Sequence, residues 1–135
     1  MIVVDTNVIA YLFLPGDRTD AARLALEIDP AWAAPLLWRS EFRNVLALYL
    51  RQHHLKLADA LEVQSAAEEL MTGREYAVES EVVLALAAAS GRSSYDCEFV
   101  ALAEALGVPL VTSDRQLLAS FPETAVSLSA FTTEQ

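Results

Sequence analysis

Three shortages narrow what this chain can do. Cys97 is the single cysteine in 135 residues, so no disulfide closes within the chain, and a reducing cytoplasm fits that usage. Its only possible bases, His53 and His54, fall on another predicted helix, so Cys97 reads as a small buried hydrophobe rather than a nucleophile. Long apolar runs are missing as well. The longest, Val82 to Ala89, falls far short of the ~18 residues of a membrane span. Basic charge is the third shortage: nine Lys and Arg stand against nineteen Asp and Glu, a net charge of −10. That balance opposes a general grip on phosphates, except that acids gathered round a cation are offset by it and the few basic residues can still share one face.

What the chain does have is apolar content, 54% of its residues. The length suits one domain with a substantial core, and the excess suggests a partner surface. Met1-Ile2-Val3-Val4 has no basic segment before it and reads as a buried strand rather than a signal peptide. A helix is expected from Thr6 to Leu14, ended by Pro15-Gly16, and a second from about Asp17 to Ile28, broken by Asp29-Pro30. Ala31 to Ala34 reads as a short strand, with Pro35 in the first turn of a helix from Leu36 to about His53. Leu37, Glu41, Val45 and Leu48 would form the inward stripe of that helix. Further helices are expected over 57–71, 80–90 and, capped by Ser93, to Leu106; strands over 75–78, 108–112 and 125–128. Trp32 and Trp38 are expected to fill core or interface.

Strands alternating with helices imply an α/β fold, a three-layer α/β/α arrangement around a central, mostly parallel sheet in a single domain over 1–135. In such a sheet ligands gather at the carboxyl ends of the strands. Asp5 follows the first strand and Asp114 follows Leu110-Val111-Thr112, so both belong at that edge. Crossover helices begin there too, which adds Asp96 near the start of one helix and Glu41 within the first turns of another. Four carboxylates in one crevice repel each other unless a cation compensates. All-oxygen donors without His or Cys select Mg²⁺ or Mn²⁺. Such an ion polarises a phosphodiester and promotes attack by water, and a carboxylate left partly free can orient or deprotonate that water.

Each residue also has a plainer reading. Asp5 and Asp114 suit N-caps, Asp96 suits a capping box with Ser93, and Glu41 suits a salt bridge inside the domain. Thr6, Asn7, Thr112 and Ser113 either support the carboxylates by hydrogen bonds or serve only as helix-start and turn residues. Arg115 either contacts a phosphate or offsets local acid. Arg39 and Arg43 point away from Glu41, toward RNA outside the pocket, a partner or solvent.

Val3-Val4-Asp5-Thr6-Asn7-Val8-Ile9, Trp38 with Glu41 leading into Asn44-Val45-Leu46, Ser94-Tyr95-Asp96 through Ala103, and Pro109 to Asp114 together resemble a PIN-domain protein. In length and motif order they resemble the VapC-type toxins of toxin–antitoxin pairs. The likeness runs from Met1 to about Leu128. It implies a Mg²⁺- or Mn²⁺-dependent endoribonuclease with Asp5, Glu41, Asp96 and Asp114 as the acidic set and Thr112 or Ser113 in support. It also implies a homodimer and a small cognate antitoxin that inserts a segment into the active-site groove. Two rivals stand beside it: a non-catalytic module whose acidic groove holds a basic protein segment, and a Mg²⁺-dependent phosphoryl-handling domain. The latter needs a lysine near the phosphate, and Lys56, the one lysine, lies between helices.

Overall fold

A computed structural model describes residues 1–133. In chain order it runs β1 (Ile2–Val4), α1 (Thr6–Phe13), α2 (Thr19–Ile28), β2 (Trp32–Pro35), α3 (Trp38–Arg51), α4 (Leu57–Met71) and β3 (Glu75–Tyr76). It continues with α5 (Ser80–Ser90), α6 (Ser94–Leu106), β4 (Leu110–Thr112), α7 (Arg115–Ser120), β5 (Ala125–Ser127) and α8 (Leu128–Thr133).

The five strands form one sheet in the order β3-β2-β1-β4-β5, with every pairing parallel. β1 and β4 are buried along their whole length, and apolar except for Thr112, as strands covered on both faces must be. The chain leaves β1 in one direction, to β2 and β3, then crosses to β4 and β5. Right-handed crossovers therefore put α1–α4 on one face and α5–α7 on the other, and the packing of α6 against β1, β2 and β4 agrees. The direction reverses between β1 and β4, so the crevice of this fold opens at their carboxyl ends.

The helix boundaries follow local chemistry. The Ser93 hydroxyl accepts the Asp96 N–H and starts α6, and Gly91 and Gly107 end α5 and α6 with φ of 74° and 66°. That is a left-handed conformation in which a side chain is strained. No helix among the described residues is long and apolar enough to cross a membrane.

Four expectations need correction. Pro35 ends β2 instead of opening α3; the ladder bond at this point comes from the Leu36 N–H to the Tyr76 carbonyl, so proline's missing donor costs nothing. The edge strand β3 stops at Tyr76. Leu128 begins a helix where strand was expected, because the Ser127 hydroxyl accepts the Ala130 N–H and α8 docks on α2. The inward stripe of α3 is Trp38, Phe42 and Leu46. Two aromatic rings 5.8 Å apart claim the core, which turns Glu41 and Val45 to half-buried positions and leaves Leu48 42% exposed. Both tryptophans are fully buried.

Arg39 is also placed differently. Expected to face RNA outside the pocket, a partner or solvent, it turns back onto its own chain: its guanidinium bonds both oxygens of Glu75, at 2.6 and 2.8 Å, and Glu68 at 2.8 Å. Glu75 accepts the Trp38 indole N–H as well, at 2.7 Å. One carboxylate thus ties α3 to the sheet edge and, through Arg39, to α4. Arg43 is exposed, as expected. Glu75→Ala should leave the indole and guanidinium donors short of partners and cost about 2–3 kcal/mol, read as a lower urea midpoint. A midpoint equal to that of the parent would contradict this role.

Candidate active site

The carboxyl edge brings the four acids together: Asp5, Glu41, Asp96 and Asp114 line one open pocket with Thr6, Asn7 and Asn44. Val45, Phe99 and Leu117 supply its apolar wall. Its volume of about 250 Å³ is below the ~300–1,000 Å³ of sites that enclose small organic ligands. It has room for a hydrated ion and a phosphate group.

Each carboxylate reaches the pocket from a different element. Asp5 ends β1 and caps α1, with Oδ1 accepting the Val8 N–H at 3.0 Å. Its Oδ2 accepts the Thr112 hydroxyl from β4. Thr112 Oγ1 in turn accepts the Asp114 N–H at 3.0 Å, so one buried hydroxyl joins the ends of β1 and β4. Asp114 caps α7, its Oδ1 taking the N–H groups of Gln116 at 2.8 Å and Leu117 at 3.2 Å. Glu41 sits in the first turn of α3, where Oε1 accepts the Thr6 hydroxyl at 2.7 Å. Asp96 sits in the first turn of α6, whose cap is Ser93. The cap reading and the pocket reading therefore hold together for Asp5 and Asp114.

Burial and mutual repulsion act on these groups. Asp5 is 7% exposed, and desolvation raises its pKa from 3.8 to about 6 against the hydrogen bonds from Thr112 and Val8; Asp114 and Glu41 push it up further. Burial also raises Glu41, partly relieved by the Thr6 hydroxyl, while Asp96 and Glu98 push it higher. Asp96 is raised by burial and by Asp114, with Arg92 pulling it down. The four carboxylates thus feel one another as a connected set, and no basic side chain lines the pocket. Their oxygens surround the space without converging: no three Asp, Glu, His or Cys side chains among the described residues form a ready ligand cage. The donors are nevertheless all hard oxygens whose repulsion a divalent cation relieves, and that chemistry fits Mg²⁺ or Mn²⁺.

Thr6 and Thr112 bond directly to pocket carboxylates, whereas Asn7 lines the pocket and is exposed. Ser113 and Arg115 fall elsewhere, on a neighbouring cleft with Arg18. Lys56 is exposed just before α4 and does not line the pocket. Asn44, Phe99 and Leu117 are pocket residues that were not singled out from sequence. Asn44 was signalled by its position three residues after Glu41, on the same helix face; the two apolar residues carried no such signal.

The PIN domain family model matches residues 2–123. Ribonuclease VapC3 of Pyrobaculum aerophilum is 33% identical to this chain, over 90% of it and 95% of that protein. The crystal structure of PAE2754 from the same organism superposes with a TM-score of 0.78 at 22% identity, covering 98% of this chain and 94% of that one. A toxin–antitoxin complex from Klebsiella pneumoniae contains a chain that matches with a TM-score of 0.69 at 20% identity, covering 95% and 98%.

The raised carboxylates have a consequence for stability. Asp5 binds its proton more tightly folded than unfolded, so this proton's stabilisation is complete below the unfolded value and is lost as pH rises through about 6, by at most roughly 3 kcal/mol. Glu41 and Asp96 act in the same direction. Glu75, lowered chiefly by its bond from Arg39, acts oppositely and loses its contribution as pH falls through its folded value. In EDTA, the melting temperature should be higher near pH ~5 than near pH ~7.5 and should fall again below about pH 4. A steady rise up to pH ~7.5 would contradict these shifts.

Proposed function

The chain belongs to the PIN-domain family, and from that premise we propose that it is a divalent-metal-dependent endoribonuclease, the toxin of a toxin–antitoxin pair. The observation that carries the reading is the single pocket shared by Asp5, Glu41, Asp96 and Asp114. The ribonuclease VapC3 likeness, at 33% identity over nearly the whole chain, supports the choice of RNA. The complex from Klebsiella pneumoniae supports the toxin role by analogy of fold.

In this reading Asp5, Asp96, Asp114 and Glu41 would hold Mg²⁺ or Mn²⁺. When bound, the ion polarises a phosphate oxygen and offsets the charge that develops during phosphodiester displacement. The side chains do the rest. Thr112 and the Val8 N–H fix the orientation of Asp5. Asp114 is anchored through Oδ1, leaving its other oxygen for the site. Glu41, oriented through Oε1 by Thr6, keeps Oε2 to position the attacking water and accept its proton. Water adds to phosphorus as its proton passes to Glu41, the P–O bond to one ribose oxygen breaks, that oxygen takes a proton from solvent, and Glu41 returns to its ionised form by releasing the proton it accepted to solvent.

The same acidic pocket suits a basic segment of a small antitoxin, which would compete with the metal and block the site. A second copy suits the apolar surface: α5 buries only Val83 and leaves Val82 and Leu84 37% and 63% exposed, area that a homodimer would cover. The protein would act in the cytoplasm, where RNA and antitoxin are found.

Two measurements test this. The purified protein should cut a panel of structured RNAs with Mn²⁺ or Mg²⁺ and not with EDTA. Asp96→Asn should lose at least about a hundredfold in rate without lowering the melting temperature, since the α6 cap uses the backbone N–H of Asp96 and the substitution removes a repelling charge. Activity retained in this variant would remove Asp96 from the site. Light scattering at micromolar concentration should give twice the mass of the chain; a single-chain mass would contradict the homodimer.

A further inference from the structure

The carboxylate pocket carries acids and no base, and the cleft beside it has the opposite character. Arg18, Ser113, Arg115, Ser127, Ser129 and Thr132 line that cleft, and no carboxylate does. In a chain of net charge −10 with nine basic residues, two arginines meet in one cleft whose own lining holds no acid, although Asp17 and Asp20 flank Arg18 in sequence and Asp114 precedes Arg115. Three other arginines are committed elsewhere. Arg39 is held by Glu75 and Glu68, Arg74 by the carbonyls of Trp32 and Leu70, and Arg92 donates to Gln116. Arg115 is exposed and makes no ion pair or side-chain hydrogen bond to the described residues.

The cleft and the pocket share a wall. Asp114 lines the pocket, and its chain neighbours Ser113 and Arg115 line the cleft. Two residue steps span at most ~7 Å of backbone, so the two sites are close. In the sheet, Thr112, which bonds Asp5, pairs in register with Ser127, which lines the cleft. Arg18 stands where this cleft meets a second groove: on the groove side its guanidinium donates to the Tyr11 hydroxyl at 2.9 Å and lies 5.3 Å from the centre of that ring. Arg18 and Tyr11 also line a groove that reaches back to the carboxylate pocket through Asn7 and Val45.

We propose that this cleft binds a backbone phosphate of the RNA next to the one being cut, with Arg18 and Arg115 as the cations and Ser113 among the hydroxyl donors. The inference rests on the ribonuclease reading and deepens it. A strand crossing the carboxyl edge meets the metal site at one phosphate and the two guanidiniums at its neighbour. This division of labour lets a strongly acidic protein hold a polyanion, because the cations are placed where the phosphates pass. Arginine and hydroxyl bonds to phosphate carry no base information, so the cleft sets affinity and register and leaves sequence choice to other surfaces.

The test uses the full chain. In the Asp96→Asn background, which leaves RNA intact, binding of a short fluorescent single-stranded RNA of mixed sequence is followed across a salt series. Arg18→Gln and Arg115→Gln should each weaken binding about tenfold. Together they should flatten the slope of log affinity against log salt by about 1.4, near 0.7 for each charge that no longer neutralises a phosphate on a single strand. Arg18→Lys and Arg115→Lys should restore the slope. In the cleaving protein, the two Gln variants should raise KM and leave kcat unchanged, and Arg115→Gln should leave the melting temperature unchanged. Unchanged affinity and slope in the double Gln variant, with a parent that binds RNA, would overturn the proposal alone. So would weakening that tracks a fall in melting temperature and is not rescued by Lys. A parent that neither binds nor, in its wild-type form, cuts RNA would overturn the ribonuclease reading, and the cleft assignment with it.

Discussion

Asp5 is a carboxylate placed where a carboxylate is expensive, and the carboxyl edge of the sheet is arranged around it. It is nearly inaccessible to solvent, and it stays there because the α1 backbone and the Thr112 hydroxyl each bond one of its oxygens. Those bonds do not cancel the cost of burial, since its pKa remains about 6. A buried acid next to Glu41 and Asp114 opposes folding whenever it is ionised. Ligands that relieve this are a proton or a cation, and at neutral pH only the cation is abundant enough to serve. A cation bound here would draw its affinity from the same repulsion that strains the site.

The topology makes this arrangement possible. β1 lies between β2 and β4, with the chain leaving it in opposite directions, so helix starts from both faces converge beside its end. Thr112 closes the gap between β1 and β4 by bonding Asp5 and the backbone of Asp114. Thr6 performs the matching task for Glu41 across α1 and α3. Two threonines thus fix the positions of three of the four acids. The acids themselves cannot do so, because like charges do not order one another.

Much of this was legible in the residues. β-branched runs gave β1 and β4, Ser93 and the glycines marked the ends of α5 and α6, and an acid after each of two parallel strands implied a shared edge. What the residues did not show was set by partners distant in the chain. The inward face of α3 shifted because Trp38 and Phe42 fill more core volume than Leu37 and Val45. That shift placed Glu41 on a half-buried wall instead of inside the core. Arg39 looked free until β3 brought Glu75 against it. α8 is only six residues long and depends on docking against α2, which no local pattern announces. Arg115 follows Asp114 in sequence, yet helix geometry sends the two to different sides of one wall.

The acidity of the chain is compatible with the proposed RNA chemistry because of where the charges sit. The net charge belongs to the whole surface, whereas the site juxtaposes four acids that call for a cation with two arginines in a cleft whose own lining holds no acid. The central claim is that the four carboxylates act as one cation site, and calorimetric titration of Mn²⁺ into weakly buffered protein at about pH 6 tests it most directly. Binding should release protons, because the ion must displace the proton that Asp5 partly holds at this pH, and the release should fall in Asp5→Asn. Mn²⁺ binding without proton release, or no binding by folded wild-type protein, would contradict it.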